Sequence, residues 1–114
     1  AERLQRIAAE VGFDWPNPAD VFAKVREELA EVQRAPDEER AGEMGDLLFA
    51  VVNLCRVFGV DPEAALAQAN RKFRFRFQYI EARLREQGRT FSETDLAEMD
   101  AWWEEAKRQE KDAT

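Results

Sequence analysis

The sequence of 114 residues has no histidine and only one cysteine, Cys55. A single cysteine cannot form an internal disulfide, and we find no pattern typical of a signal peptide or pro-segment. We therefore expect a reducing compartment, the cytoplasm. Without histidine, the chain lacks the usual general acid–base side chain, so we expect carboxylates and metal ions to supply any catalysis.

Glycine and proline are scarce as well. The chain has five Gly and four Pro, whereas Ala, Leu, Glu, Arg and Gln dominate, and this composition favours helix over sheet. The length fits one domain with enough apolar residues for a core. We therefore expect a single all-α domain spanning residues 1–114.

The chain also lacks an excess of basic charge and a long apolar segment. Its formal net charge is -7, so binding to nucleic acid is not expected. The longest apolar run, residues 47–60, is interrupted by Asn53 and Arg56 and is too short to span a membrane, so we predict a buried helix there. A ligand bearing phosphates would need a divalent cation to bridge it to so acidic a chain.

Helix-capping residues and helix breakers divide the sequence into five predicted helices. Candidate N-caps precede three of them, and a glycine follows three of them. The caps are Asn17 (with Pro18 next), Asp37 and Asp61; the glycines are Gly12, Gly59 and Gly88. The predicted helices cover residues 2–11, 18–35, 38–58, 62–87 and 95–110.

One segment, residues 72–79, alternates polar and apolar residues as a half-buried strand would. An apolar stripe with helical spacing nevertheless runs through it from Leu66 to Leu84, and the sequence offers no second strand for pairing. We interpret the segment as helix. The expected fold is a bundle of four to five helices, and a homodimer would cover the third helix, which is apolar on every side.

Acidic residues recur at helical spacing on the second and third predicted helices. Lys24, Glu27, Glu28 and Glu31 share one face of the second helix. Alone, such a set is usually a solvated charged face. Glu43 and Asp46 form a further i, i+3 pair, and an ionised Asp46 on a buried helix would be costly unless it had a partner. A cap or an ion pair would satisfy Asp46, but two acidic pairs on adjacent helices fit a site for Mg²⁺ or Mn²⁺ better.

The acidic pattern resembles the signature of MazG-like pyrophosphohydrolases. The resemblance covers nearly the whole chain and includes the segments 12–15, 45–49, 52–54, 69–73, 76–77 and 103–107. It implies an all-α enzyme, a homodimer or dimer of dimers, that hydrolyses the α–β bond of nucleoside triphosphates. It further implies the monophosphate and pyrophosphate as products, Mg²⁺ as the cofactor, and cleansing of the nucleotide pool as the role.

The resemblance also implies roles for individual residues. The metal ligands correspond to Glu28, Glu31, Glu43 and Asp46, and Glu27 would hold a further ion or orient water. Phosphate contacts are implied for Lys72 and Arg76, and Lys24 is a further candidate; all three are otherwise surface cations. Base or ribose contacts are considered for Trp103, Asn70, Asn53, Phe13 and Trp15, each of which has core packing or a core hydrogen bond as the alternative.

Two other functions remain open at this point. One is a hydrolase restricted to pyrimidines, similar to dUTPase or dCTPase, in which a base-specific pocket limits turnover. The other is a non-catalytic helical dimerisation module, or the silent half of a tandem chain, in which the acidic residues are only a charged surface.

Overall fold

In the computed structural model, residues 1–14 and 17–112 are described, and within them the chain forms five α-helices and no strand. The helices are α1 (Glu2–Glu10), α2 (Pro18–Arg34), α3 (Asp37–Val57), α4 (Pro62–Glu86) and α5 (Leu96–Asp112). The all-α fold class is therefore confirmed. The alternating segment 72–79 lies inside α4, so its interpretation as helix is confirmed too.

Capping side chains and glycines close in sequence explain most of the helix ends. The Asn17 side chain accepts a hydrogen bond from the backbone N–H of Asp20 at 3.2 Å, and Pro18 is the first residue of α2. Asp61 caps α4 in the same way, because its Oδ1 accepts from the Glu63 N–H at 3.0 Å. Gly59, which follows α3, has a φ of +68°, a conformation that a side chain would disfavour.

The prediction that Asp37 caps the third helix is wrong. Pro36 occupies the cap position and makes no side-chain cap hydrogen bond, whereas Asp37 is the first helical residue. Its carboxylate pairs with Arg40 one turn later, and an acidic side chain in the first turn is favourable to the helix dipole without capping. A short 3₁₀ turn at Phe91–Glu93, closed by a capping box from Thr90, was not predicted.

The chain divides into two compact units, Ala1–Ala65 and Leu66–Thr114. In the first unit, α1 and α2 both pack against α3. Val21 and Ala50 are its buried apolar residues, and Gln5, Glu28 and Asn53 are buried polar ones. The single domain over residues 1–114 stays a prediction.

The third helix, which we predict to be buried with a homodimer as its cover, is only partly buried in the isolated chain. Only Ala50 and Asn53 of α3 are buried, while Leu48 is 66% exposed and Val51 is 39% exposed. The physical reason is that α1 and α2 are too few to surround a helix that is apolar on every side. No helix in the described part of the chain is long and apolar enough to cross a membrane.

In the second unit, Ile80 and Leu84 of α4 form a buried cluster with Trp102 of α5. Two ion pairs also connect residues of this unit. Arg76 Nη2 lies 3.0 Å from Glu110 Oε2, and Arg89 Nη2 lies 2.6 Å from Glu98 Oε1.

The Arg89–Glu98 pair predicts how acid affects stability. The hydrogen bond from Arg89, followed by one from Thr94, holds the pKa of Glu98 below its ordinary value. Because the folded-state pKa is the lower one, the pair stabilises the fold at pH values above about 4.3, the ordinary pKa of glutamate, and this contribution is lost as the pH falls through the folded-state pKa. We expect the melting temperature of Glu98→Gln to fall less steeply below pH 4.3 than that of the wild type.

Thermal unfolding monitored by circular dichroism between pH 7 and pH 3 checks this expectation. The control is Glu86→Gln, since Glu86 lies on the surface, 3.4 Å from Arg83, and its variant should keep the wild-type acid dependence. An unchanged acid dependence in Glu98→Gln would contradict the prediction.

Candidate metal and nucleotide site

Three carboxylates from two consecutive helices converge in the first unit. Glu28 of α2 and Glu43 and Asp46 of α3 each place one oxygen within 4.8 Å of the others. Glu43 and Asp46 are three residues apart and therefore lie on one face of α3. We call these three residues the acidic cluster. Among residues 1–14 and 17–112 it is the one group of three potential ligands that are close enough to hold a metal ion.

Glu28 is the most buried member of the acidic cluster, with 8% of the residue exposed. A buried carboxylate requires a counter-charge, and Lys24 supplies one from one turn earlier, with its Nζ 3.0 Å from Glu28 Oε1. This hydrogen bond is the main cause of the raised pKa of Lys24, and the negative charges of Glu27, Glu28 and Asp46 raise it further. Lys24 is therefore held in its charged form beside the cluster.

The pKa of Glu43 is raised by burial and by the excess of negative charge at the cluster. Burial is the first cause of its raised pKa, and the neighbouring carboxylates, Asp46 first and then Glu31 and Glu28, are the next. A bound cation would relieve this repulsion. The donors are all carboxylate oxygens, the ligands that Mg²⁺ and Mn²⁺ prefer, so the residues present fit a hard divalent cation.

The sequence argument for Asp46 needs correction. Asp46 was expected to be costly because of burial, but it is exposed in the structure, since its side of α3 opens into a pocket. The cost of burial applies to Glu28 instead. The position of Asp46 in the acidic cluster thus follows from helical spacing, not from desolvation.

Glu31 and Glu27 lie outside the acidic cluster. Glu31 Oε1 accepts a hydrogen bond from Arg34 Nη2 at 2.9 Å, and 43% of its side chain is exposed. Glu31 is nevertheless near enough to contribute to the raised pKa of Glu43. The side chain of Glu27 is 62% exposed and lies 3.8 Å from Lys24 Nζ. Metal or water roles for Glu31 and Glu27 stay predictions.

A pocket of about 360 Å³ adjoins the acidic cluster. One part of its lining is charged and the rest is mostly apolar. The charged residues are Lys24, Glu28 and Asp46, and the others are Phe13, Val21, Phe49, Ala50 and Asn53. This volume lies in the range of small-molecule sites. Sequence reasoning missed Phe49 and Ala50, although their spacing of three and four residues from Asp46 places them on its helix face.

Asn53 is buried and engaged by Arg56. Only 3% of Asn53 is exposed, and its Oδ1 accepts hydrogen bonds from Arg56 Nη2 at 2.7 Å and Nε at 3.2 Å. Arg56 also pairs with Asp14 at 2.6 Å. Trp15, another predicted base or ribose contact, lies outside the described residues.

Two of the predicted phosphate-binding cations, Lys72 and Arg76, belong to the second unit. Arg76 makes a bidentate ion pair with Glu110: the Nε–Oε1 distance is 3.1 Å and the Nη2–Oε2 distance is 3.0 Å. Lys72 lies in the same pocket of about 520 Å³, whose lining also contains Glu104, Lys107, Arg108 and Lys111. Lys72 and Arg76 are thus brought together in a pocket with five basic residues, with Glu110 as a partner that the sequence did not reveal.

Trp103 and Asn70 also belong to the second unit. Trp103 packs against the core of that unit, and its ring lies 5.5 Å from the ring of Phe73 and 5.1 Å from the guanidinium of Arg76. One part of the Trp103 side chain therefore packs in the core, and the guanidinium of Arg76 lies over its ring. Asn70 is exposed beside a shallow pocket that Phe73 also lines, so a core hydrogen bond is excluded for it.

An all-α fold with a carboxylate cluster on consecutive helices is what the resemblance to pyrophosphohydrolases led us to expect. The family model described as phosphoribosyl-ATP pyrophosphohydrolase matches residues 7–73. This is more than half of the chain, and the chain therefore belongs to this family of pyrophosphohydrolases.

Curated relatives confirm the resemblance to MazG. The chain is 45% identical over 108 residues to the nucleoside triphosphate pyrophosphohydrolase/pyrophosphatase MazG of Thermotoga maritima, with 94% of this chain and 42% of the relative covered. It is 42% identical over 118 residues to the nucleoside triphosphate pyrophosphohydrolase of Escherichia coli K12, with 98% and 45% covered. The chain therefore spans less than half the length of these relatives.

Proposed function

We propose that the chain hydrolyses the α–β phosphate bond of nucleoside triphosphates, using Mg²⁺ or, as a substitute, Mn²⁺, and releases the monophosphate and pyrophosphate. The observation that carries the proposal is the acidic cluster at one end of a pocket large enough for a nucleoside. The printed activities of the relatives from Thermotoga maritima and Escherichia coli support it. The proposed role is cleansing of the cytoplasmic nucleotide pool.

In this proposal, Glu28, Glu43 and Asp46 hold the cation, with Glu31 and Glu27 as further ligands or water-orienting groups. A bound divalent cation neutralises the triphosphate and activates water for attack. Lys24 neutralises Glu28 before the cation binds, because its Nζ is 3.0 Å away. With a divalent cation held by the cluster, the Lys24 ammonium group would no longer be needed to balance Glu28 and could contact a phosphate oxygen.

We further propose that Lys72 and Arg76 bind phosphate oxygens and that Trp103 and Asn70 contact the base or sugar. The basic pocket around Lys72 and Arg76 supports the first of these roles, since a guanidinium that already pairs with both oxygens of Glu110 has the geometry that a phosphate requires. The aromatic ring of Trp103 beside Arg76 supports the second.

Incubation of the wild-type chain with each common nucleoside triphosphate and Mg²⁺, followed by ³¹P spectroscopy of the products, tests the function. Monophosphate and pyrophosphate are the expected products. Diphosphate and orthophosphate would contradict cleavage at the α–β bond. Absence of turnover would favour a non-catalytic module, and turnover of pyrimidine nucleotides alone would favour the restricted hydrolase.

We also propose that the chain forms a homodimer, or a dimer of dimers, through α3. Met44, Leu48 and Val51 follow helical spacing and are 50%, 66% and 39% exposed. At 100° per residue this stripe lies opposite the side of α3 that carries Asp46 and Ala50. A second copy packed on the stripe would bury it and leave the pocket lining in place.

Leu48→Glu is expected to convert the dimer into a monomer, because it places a charge in the middle of the apolar stripe. Size-exclusion chromatography with light scattering measures the mass. Leu96→Glu is the matched control, since Leu96 is 79% exposed and is a residue of α5 that does not belong to the stripe. A monomeric wild type, or a dimer that persists in Leu48→Glu, would contradict the proposal.

A further inference from the structure

One buried side chain in the first unit has an unsatisfied hydrogen-bond acceptor. Gln5 of α1 is 6% exposed, and its Nε2 donates a hydrogen bond of 2.7 Å to the backbone carbonyl of Phe49. Its Oε1 is buried and accepts no hydrogen bond from the part of the chain that the structure describes. Buried polar atoms in proteins almost always have a partner, so this oxygen is suited to a donor that arrives from outside the chain.

The surroundings of Gln5 connect it with the acidic cluster. Gln5 lines a small cavity of about 60 Å³. Phe13, Phe49 and Asn53 line both this cavity and the larger pocket of about 360 Å³, which reaches Glu28 and Asp46. The two cavities therefore share three lining residues, which connect the side of Glu28 and Asp46 with that of Gln5.

Asn53 adds a donor to the same lining. Its Oδ1 is already engaged by two N–H groups of Arg56, so its Nδ2 is the group that remains for other hydrogen bonds. Gln5 thus offers an acceptor and Asn53 a donor, and the side chains of Phe13 and Phe49 suit a flat ring. A nucleobase matches this combination, because each base has a planar face and an N–H donor on its Watson–Crick edge.

We propose that the larger pocket holds the base of the nucleotide and that the Watson–Crick edge of the base enters the small cavity, where the Oε1 of Gln5 accepts a hydrogen bond from an N–H of that edge. Of the two contacts proposed above for Trp103 and Asn70, the sugar is the one that this assignment retains. This assignment rests on the proposed function, because it gives the same triphosphate a place for its base. It also separates two roles: the acidic cluster serves the phosphates common to all nucleotides, whereas Gln5 and Asn53 respond to the base.

Nucleosides without phosphates test the subsite independently of hydrolysis. Two ligand pairs differ in the N–H donor: thymidine against N3-methylthymidine, and deoxyadenosine against N6,N6-dimethyldeoxyadenosine. Each is titrated into the ¹⁵N-labelled chain while the side-chain amide signals of Gln5 and Asn53 are followed. We expect a saturable shift of both signals and, in at least one pair, roughly 10-fold weaker binding of the methylated member, since it leaves Oε1 without a donor.

Gln5→Met removes the acceptor while it keeps the length of the side chain, and it should abolish this discrimination. Gln33→Met is the matched control, because Gln33 is an exposed residue of α2, and it should retain the discrimination. If Oε1 serves only an internal water, both pairs bind the wild type equally or the Gln5 signal does not respond, and the proposal is overturned. Discrimination that survives in Gln5→Met overturns it as well.

The comparison of methylated and unmethylated nucleosides on the wild-type chain tests the base subsite even if Gln5→Met does not fold. It also separates this inference from the proposed function. Hydrolysis of triphosphates without a response at Gln5 would reject the subsite alone. A response at Gln5 without hydrolysis would retain the base subsite and reject the proposed activity.

Discussion

Asp46→Asn is expected to lower kcat/KM for nucleoside triphosphates by at least about 100-fold, which corresponds to roughly 2.7 kcal/mol of transition-state stabilisation. Asparagine has nearly the shape of aspartate but lacks the charge, so the variant tests the carboxylate alone. Asp46 shares a 4.8 Å cluster with Glu28 and Glu43, and loss of one ligand weakens both the binding of the cation and its positioning. Initial rates of pyrophosphate release measure the effect.

The same substitution separates loss of catalysis from loss of structure. The charge of Asp46 contributes to the raised pKa of Glu43, so in the absence of metal the two carboxylates repel each other. Asp46→Asn should therefore leave the melting temperature of the metal-free chain unchanged or raise it, as is common when a strained active-site group is removed. Loss of activity together with unfolding would not fit this expectation.

Asp100→Asn is the control for Asp46→Asn. Asp100 is exposed on α5, and its variant changes the net charge of the chain by the same amount. Its activity should equal that of the wild type. If Asp46→Asn were as active as Asp100→Asn, the acidic cluster would not be the catalytic metal site.

The sequence predicted the features that depend on neighbours along one helix. The caps at Asn17 and Asp61 and the turn at Gly59 are contacts within a few residues, and the i, i+3 spacing of Glu43 and Asp46 places them on one side of a helix wherever that helix packs. The same logic failed at Pro36 because a favourable first-turn residue and a cap look alike in sequence.

Contacts between distant segments were the part that the sequence could not reveal. Gln5 meets Phe49 across 44 positions, and Arg76 meets Glu110 across 34. Neither pair has a spacing that a helical pattern can show, so Gln5 and Glu110 were not among the predicted site residues. The cover of α3 is a related case: an apolar sequence indicates that a helix needs to be covered, but it does not indicate whether the same chain or a second copy covers it.

Metal binding offers a second large and independent effect. A ligand that binds only the folded chain raises the free energy of unfolding by about 2.7 kcal/mol when its concentration is 100-fold above its Kd. We therefore expect Mg²⁺ to raise the melting temperature in a saturable way, with Mn²⁺ acting similarly. Thermal unfolding at increasing Mg²⁺ concentrations gives both the size of the effect and the Kd.

Salt alone also stabilises so acidic a chain, because ions screen the repulsion that accompanies a net charge of -7. The control is therefore NaCl at matched ionic strength, which should give a smaller and unsaturated rise. Glu43→Gln should abolish the saturable part, since Glu43 contributes one of the three converging oxygens, while Asp100→Asn should keep it. If NaCl reproduced the whole effect, or if Glu43→Gln retained it, the acidic cluster would be only a charged surface. Saturable stabilisation that disappears with Glu43 would instead identify the cluster as the place where the cation binds, whatever nucleotide the chain acts on.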